Sequence, residues 1–349
     1  MKKIDHANGP RAFTSDGHFA RDADFSEIPI IDFGPMLEDD PAGHIKVAAE
    51  LRDACVNVGF FYLKNHGVPQ DVIDRVFSEG ERFFAKPEEE KLKVHIKKSD
   101  FHRGFGPMFT EQADSKGVPD VHEAFDLSAD IPADDPEVLA GNTYHGPNQW
   151  PDDMPEFRES LIDYQEAVLT LGRRLFRAFA LALDLGEDYF EQYLKRPGYF
   201  MRVIHYPPQE TREDDPQLGI GAHSDYECFT ILAQGGEMSA LQVLNSRDEW
   251  ISAPPIPGTF VVNIGDMMTR WTNDYFLSTV HRVFNGSGQE RYSIPFFYGV
   301  DYDAMIEPLE SCVSEELPAK YPPVNAYQYV HDRLSAAYTY IGDKEAATG

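Results

Sequence analysis

The stretch from Tyr199 to Val300 most limits what this chain can become. It is a succession of short apolar or alternating runs: YFMRVIHY, FTILAQ, ALQVL, EWISA, TFVVNIG, VHRVF and RYSIPFFYGV. Turns rich in Pro, Gly, Asn and Asp separate them. The runs recur roughly every ten residues with no helix between them, which suits an antiparallel jelly roll or sandwich better than a parallel sheet with crossover helices.

The flanking sequence reads differently. Residues 1–27 are polar with little periodicity and are expected to form an arm, mobile or laid over the surface. IPIIDF at 28–33 is a short strand, 44–58 a helix, and GFFYLKNHG a strand followed by a turn. Two helices are expected over 68–94, the second begun by Pro87 with three glutamates in its first turn. Residues 99–150 are loop-rich. Between 155 and 185, Leu161, Tyr164, Val168, Leu171, Leu175, Ala178 and Ala182 form one stripe of a long helix, expected to end at Leu185-Gly186. The expected organisation is an arm (1–27), an N-terminal region of helices and strands (28–150), a supporting helix (151–198), a β core (199–302), and a segment with a closing helix at 325–338 (303–349). The fold class is mainly β with flanking helices, α+β.

Composition narrows function by exclusion. With 31 Lys and Arg against 59 Asp and Glu the chain carries a formal charge of −28, so nucleic acid and anionic membranes are poor partners. Its 42% hydrophobic and 13% aromatic content fills a large core. Three cysteines, Cys55, Cys228 and Cys312, are too dispersed for a disulfide framework or a zinc knuckle. No signal peptide and no membrane span is read, so a cytoplasmic enzyme is expected, monomeric by default and acting on a small molecule.

Of twelve histidines, only His223, in GAHSDYE, has a carboxylate two residues downstream. In an extended strand that spacing puts His223 and Asp225 on one face, able to chelate one metal. His281 is the one other histidine between Asp225 and the C-terminal helix and is expected to supply a third ligand. Two histidines and a carboxylate form a facial triad, leaving three positions open on octahedral iron(II). Ten residues on, Arg291 and Ser293 again sit at i and i+2. A guanidinium beside a hydroxyl suits the distal carboxylate of a small dicarboxylic acid.

With these residues in place, the chain resembles the iron(II) and 2-oxoglutarate dependent oxygenases, in the branch of isopenicillin N synthase and the plant flavonoid and gibberellin oxygenases. The likeness runs from Ile28 to about Tyr340. It includes IPIIDF, GFFYLKNHG, RGFGPM, HYPP, HSD, EWISAPPIPGTFVVNIGD, HRV, RYSIPFF and YQYVHDRL. It implies a double-stranded β-helix, jelly-roll and cupin-like core, with iron(II) on His223, Asp225 and His281. Tyr206, Arg291 and Ser293 would hold the cosubstrate 2-oxoglutarate, and dioxygen would be the oxidant. The implied reaction is oxidation of a small organic molecule, by hydroxylation, desaturation or cyclisation, with release of succinate and CO2. Many relatives read Asn-x-Tyr-Pro where this chain has Ile204-His205-Tyr206-Pro207, so one cosubstrate contact is absent.

Plainer readings compete at several positions. His66 and His205 read as structural, HEAF at 122–125 lacks the second histidine of a zinc helix, and Cys228 reads as a small buried residue. Arg103, Phe105, Met108, Tyr226, Trp271 and Phe297 are candidates to line a substrate pocket. Three alternatives stay open: a cosubstrate-free iron oxidase like isopenicillin N synthase, a metal-dependent hydrolase, and a silent β-core binding protein.

Overall fold

A computed structural model describes residues 2–4, 11–13, 20–22, 27–113, 118–209, 217–286 and 288–337. In chain order the principal elements are β1 (Ile30–Asp32), α1 (Pro41–Asn57), β2 (Phe60–Lys64), α2 (Gln70–Phe84), β3 (Gly104–Gly106), β4 (Glu123–Leu127) and α3 (Pro155–Ala182). There follow β5 (Pro197–Tyr206), β6 (Ile220–His223), β7 (Phe229–Gln234), β8 (Leu241–Leu244), β9 (Trp250–Ser252) and β10 (Thr259–Ile264). Next are α4 (Asp266–Trp271), β11 (His281–Val283), β12 (Arg291–Asp301) and α5 (Ala326–Ala337).

Two sheets face each other. The larger has the order β1-β2-β10-β7-β12-β5-β4-β3; the smaller runs β9-β8-β11-β6, with Arg21–Asp22 paired in parallel on the β9 edge. From β5 to β12 every pairing is antiparallel, and the chain passes repeatedly from one sheet to the other. That is the jelly-roll path expected from runs too closely spaced for crossover helices.

Strand alternation divides the two faces. On β12, Arg291, Ser293, Pro295 and Phe297 line an internal cavity, while Ile294, Phe296 and Tyr298 enter the outer core. α3 covers that outer face. Pro155 opens it, and Phe157, Leu161, Tyr164, Val168, Leu171, Leu175 and Phe179 are all buried along one stripe. Each such side chain stabilises by about 1.5–3 kcal/mol relative to exposure. Phe176 packs edge-on against both Phe229 and Tyr298, joining helix to sheet.

Three expectations need correction. α3 stops at Ala182, because Asp184 takes the left-handed conformation (φ 59°) and the Leu185 amide bonds to the Ala180 carbonyl. Gly186 lies past that stop. The loop-rich 99–150 region contributes β3, a three-residue GFG strand, and β4, hidden in the sequence by its charged residues Glu123 and Asp126. Those charges are paired: Glu123 with Lys91, and Asp126 with Arg202. The helix from Pro87 keeps one α turn, Glu88–Lys91. Most of the N-terminal arm lies outside the described residues, but Arg21 pairs with Glu27 and Glu249. No helix among the described residues is long and apolar enough to cross a membrane.

Candidate metal centre

β6 and β11 are antiparallel neighbours in which His223 and His281 stand directly opposite. Their rings lie 4.3 Å apart. Asp225 follows two residues past His223, where β6 gives way to the turn into β7. Its Oδ1 lies 3.6 Å from the Nε2 atoms of both histidines. One donor atom from each residue falls within 4.8 Å of the others.

Each donor is held by a second residue. Nδ1 of His223 donates to the Gly221 carbonyl (2.8 Å), and Nδ1 of His281 to the Thr279 carbonyl (3.1 Å). A carbonyl can only accept, so both Nε2 atoms are left as free lone pairs. Asp225 Oδ2 accepts from Thr230 Oγ1 (2.5 Å) and Asn263 Nδ2 (2.7 Å), leaving Oδ1 to the histidines. Thr230 and Asn263 are cross-strand partners on β7 and β10, so the larger sheet braces a carboxylate carried by the smaller one. Backbone contacts fix the HSDYEC turn: the Gly265, Asp266 and Met267 amides donate to Cys228, Asp225 and Tyr226. Only a glycine fits at 265, because a Cβ there would sit 2.1 Å from the Glu227 carbonyl oxygen.

At Asp225 and His281 the favoured protonation states are those a ligand needs. Burial opposes charge on Asp225, but the facing His281 and His223 and the Asn263 donor hold its carboxyl well below the usual carboxylate range. Burial, reinforced by His223, pushes His281 down to about 4, so its imidazole is neutral at physiological pH. Burial also disfavours charge on His223, yet contact with Asp225 outweighs it and raises that group. Two imidazoles and one carboxylate on one side of a cavity suit iron(II).

On the same cavity wall, Tyr206 on β5 is the register partner of Arg291 on β12. The Arg291 guanidinium lies 4.7 Å from the Tyr206 ring centroid, and Ser293 Oγ donates to the Tyr206 hydroxyl at 3.4 Å. Arg291 is 2% exposed; Nη2 reaches Gln234 at 3.3 Å, while Nε and Nη1 have no hydrogen-bond partner. A buried guanidinium with two bare nitrogens beside a hydroxyl is a cradle for a carboxylate, as 2-oxoglutarate would present. Ile204 faces Ser293 across the strands and adds only an apolar wall.

The cavity is about 190 Å³, and it takes in the triad and the Arg291 clamp together. Of the six expected substrate residues, Tyr226 and Phe297 line it. The other four turn elsewhere. Arg103 is fully buried, donating to the Phe101 and Tyr144 carbonyls behind Phe200. Phe105 packs on Phe83 and Phe84. Met108 is half-buried after β3, outside the lining, and Trp271 packs on Phe190 and Tyr193. Sequence reading missed Phe200, Glu227, Thr230, Asn263, Val330 and Leu334. Strand register is the signal that finds one of these: setting Tyr206 opposite Arg291 places Phe200 opposite Phe297.

His66, His205, His122 and Cys228 make other contacts. His205 pairs with Glu123 and stacks on Tyr292, and His66 accepts from the Val68 amide and packs on Phe260. His122 bonds the Gly219 carbonyl. Cys228 is fully buried, its thiol pushed up by that burial.

Known proteins share this architecture. Residues 28–153 match the family described as non-haem dioxygenase in morphine synthesis N-terminal, and residues 197–300 match the 2OG-Fe(II) oxygenase superfamily. A 2-oxoglutarate-Fe(II) type oxidoreductase of Emericella nidulans is 37% identical over 89% of this chain and 89% of its own length. A homoarginine-6-hydroxylase of Arabidopsis thaliana is 39% identical over 86% of this chain and 91% of its own. Among solved structures, a full-length Neurospora crassa protein in complex with alpha-KG and thymine superposes with a TM-score of 0.78 at 29% identity, over 88% of this chain and 96% of that one. The rice dioxygenase for auxin oxidation gives 0.70 at 26% identity, over 89% and 96%. The chain therefore belongs to the 2OG-Fe(II) oxygenase superfamily, as an iron(II)- and 2-oxoglutarate-dependent oxidoreductase.

Proposed function

We propose that the chain hydroxylates a small molecule, with iron(II) on His223, Asp225 and His281 and the far carboxylate of 2-oxoglutarate on Arg291, Ser293 and Tyr206. One observation carries this assignment: the buried, half-unpaired Arg291 guanidinium opens into the same cavity as the triad. Hydroxylation, rather than desaturation or cyclisation, follows the names of the plant relatives.

The bound iron and keto acid supply the oxidising chemistry, with 2-oxoglutarate and dioxygen consumed and succinate and CO2 released. The chain supplies geometry. Thr230 and Asn263 keep Asp225 Oδ2 engaged, so that Oδ1 alone faces the histidines. Gly221 and Thr279 carbonyls hold the two imidazoles in the ligating tautomer. Arg291 fixes the cosubstrate's far end, which orients its keto-acid end toward the triad. Phe60, edge-on to His281 at 5.2 Å, and the apolar lining around it limit water near the centre.

The test is anaerobic addition of iron(II) and then 2-oxoglutarate to metal-free protein, monitored by the weak visible charge-transfer absorption of an iron-chelated keto acid. The band is expected in the parent and lost in Asp225→Ala. Its absence with iron bound would overturn the cosubstrate assignment and favour the cosubstrate-free oxidase, whose signature is oxygen uptake without succinate.

A further inference from the structure

Five carboxyl side chains border the cavity: Glu111, Asp120, Asp126, Asp225 and Glu227. Four are engaged. Asp225 is held by Thr230 and Asn263, Glu111 and Asp126 both pair with Arg202, and Asp120 accepts from the Ala113 and Gly221 amides. Glu227 differs: it is 4% exposed, and neither carboxyl oxygen has a hydrogen-bond partner. A bare buried carboxyl is costly, by several kcal/mol when ionised, so its presence calls for a partner.

Its position indicates what that partner is. The inward row of β12 runs Arg291, Ser293, Pro295, Phe297 and then Gly299, and the Glu227 carboxyl rests on Gly299, where a Cβ would lie 2.3 Å from Oε2. The absence of a side chain at 299 is what gives the carboxyl room. Thr230, which holds the triad aspartate, is the register partner of Phe297. Glu227 thus sits one inward position beyond the metal's level, about 7 Å along the strand, on the side opposite the Arg291 clamp. Phe200, Phe297, Val330 and Leu334 supply apolar wall in the same cavity.

We infer that Glu227 is the substrate-recognition group of this site and takes a cationic nitrogen group, ammonium or guanidinium, of a small substrate whose carbon chain lies along Phe200 and Phe297. This rests on the proposed placement of iron and 2-oxoglutarate, since those leave the Glu227 end of the cavity for substrate. The competing structural reading is a buried water shared by Glu227 and the hydroxyls of Tyr302 and Tyr329, which are likewise buried without partners. Water is indifferent to probe charge, whereas a recognition carboxylate is not.

The experiment is calorimetric titration of the anaerobic iron(II)–2-oxoglutarate protein with n-pentylguanidinium and with n-pentylurea, a neutral probe of the same shape. The parent is expected to bind the guanidinium at least tenfold more tightly, and E227Q to bind the two alike. Equal affinities in the parent overturn the inference without any variant, as does a preference that survives in E227Q. The keto-acid charge-transfer band, recorded on the same samples, separates the two levels. Failure of the band refutes the cosubstrate placement, whereas a normal band with no probe preference refutes Glu227 alone.

Discussion

Replacing Arg291 with glutamine tests the cosubstrate site at the residue on which it depends most. Arg291, Ser293 and Tyr206 are each no more than 2% exposed, so a carboxylate bound there has left water. Removing one partner of a buried ion pair costs about 3–5 kcal/mol, because the remaining charge stays desolvated. At about 1.4 kcal/mol per power of ten, the Kd for 2-oxoglutarate should rise by about 150- to 4,000-fold. Ser293→Ala removes one hydrogen bond to a charged group, about 1.5–3 kcal/mol, and should weaken binding by about 10- to 150-fold. The assay is an anaerobic titration of the iron(II)-loaded proteins followed by the charge-transfer band, with iron retention measured separately. Iron affinity should be unchanged in both variants, since neither side chain touches the triad. A rise of less than tenfold in Arg291→Gln, with iron retained, would refute the clamp; concurrent iron loss would mean that the substitution had disturbed the fold instead.

Other outcomes follow from the same contacts. Thr230→Val and Asn263→Ala each free Asp225 Oδ2 and should weaken iron(II) binding about 10- to 100-fold in a chelator competition, while unchanged affinity would show that the brace is idle. Gly265→Ala forces a Cβ against the Glu227 carbonyl oxygen, a backbone atom with little room to give, and should cost about 1–3 kcal/mol or more in denaturant unfolding. An unaltered midpoint would refute that close approach. Burial pushes His66 down to about 4 from an ordinary 6.5, so between those values the unfolded chain binds the extra proton. Stability from this residue is therefore complete above 6.5 and lost as pH falls toward 4. His66→Leu should flatten that slope in metal-free protein unfolded at pH 5, 6 and 7; a slope as steep as the parent's would count against it.

The relation between sequence and structure differs by residue. His223 and Asp225 were legible from their i, i+2 spacing, although Asp225 lies just past β6 and the turn into β7 rather than strand alternation presents it. The same rule made Arg291-x-Ser293 readable, and the short evenly spaced runs identified an antiparallel core. α3 was equally plain, since 28 residues of 3.6-residue periodicity leave little ambiguity. β4 was not, because Glu123 and Asp126 look like loop residues until their partners Lys91 and Arg202 are brought alongside, and β3 is a three-residue strand with glycine at both ends.

Pocket residues showed the limit most clearly. Arg103, Phe105, Met108 and Trp271 have the right chemistry for a pocket, yet they lie outside the cavity lining, while Val330 and Leu334 reach the cavity from the far end of the chain. By itself the sequence put His223 close to Asp225 and Arg291 close to Ser293 and indicated the antiparallel class, because residues two apart stay neighbours in extended chain and closely spaced runs leave no room for crossover helices. Tertiary structure alone decided which side chains brace Asp225, which line the cavity, and that Glu227 is buried there without a partner. Those are contacts between residues tens or hundreds of positions apart, fixed by strand register and sheet pairing rather than by any local period.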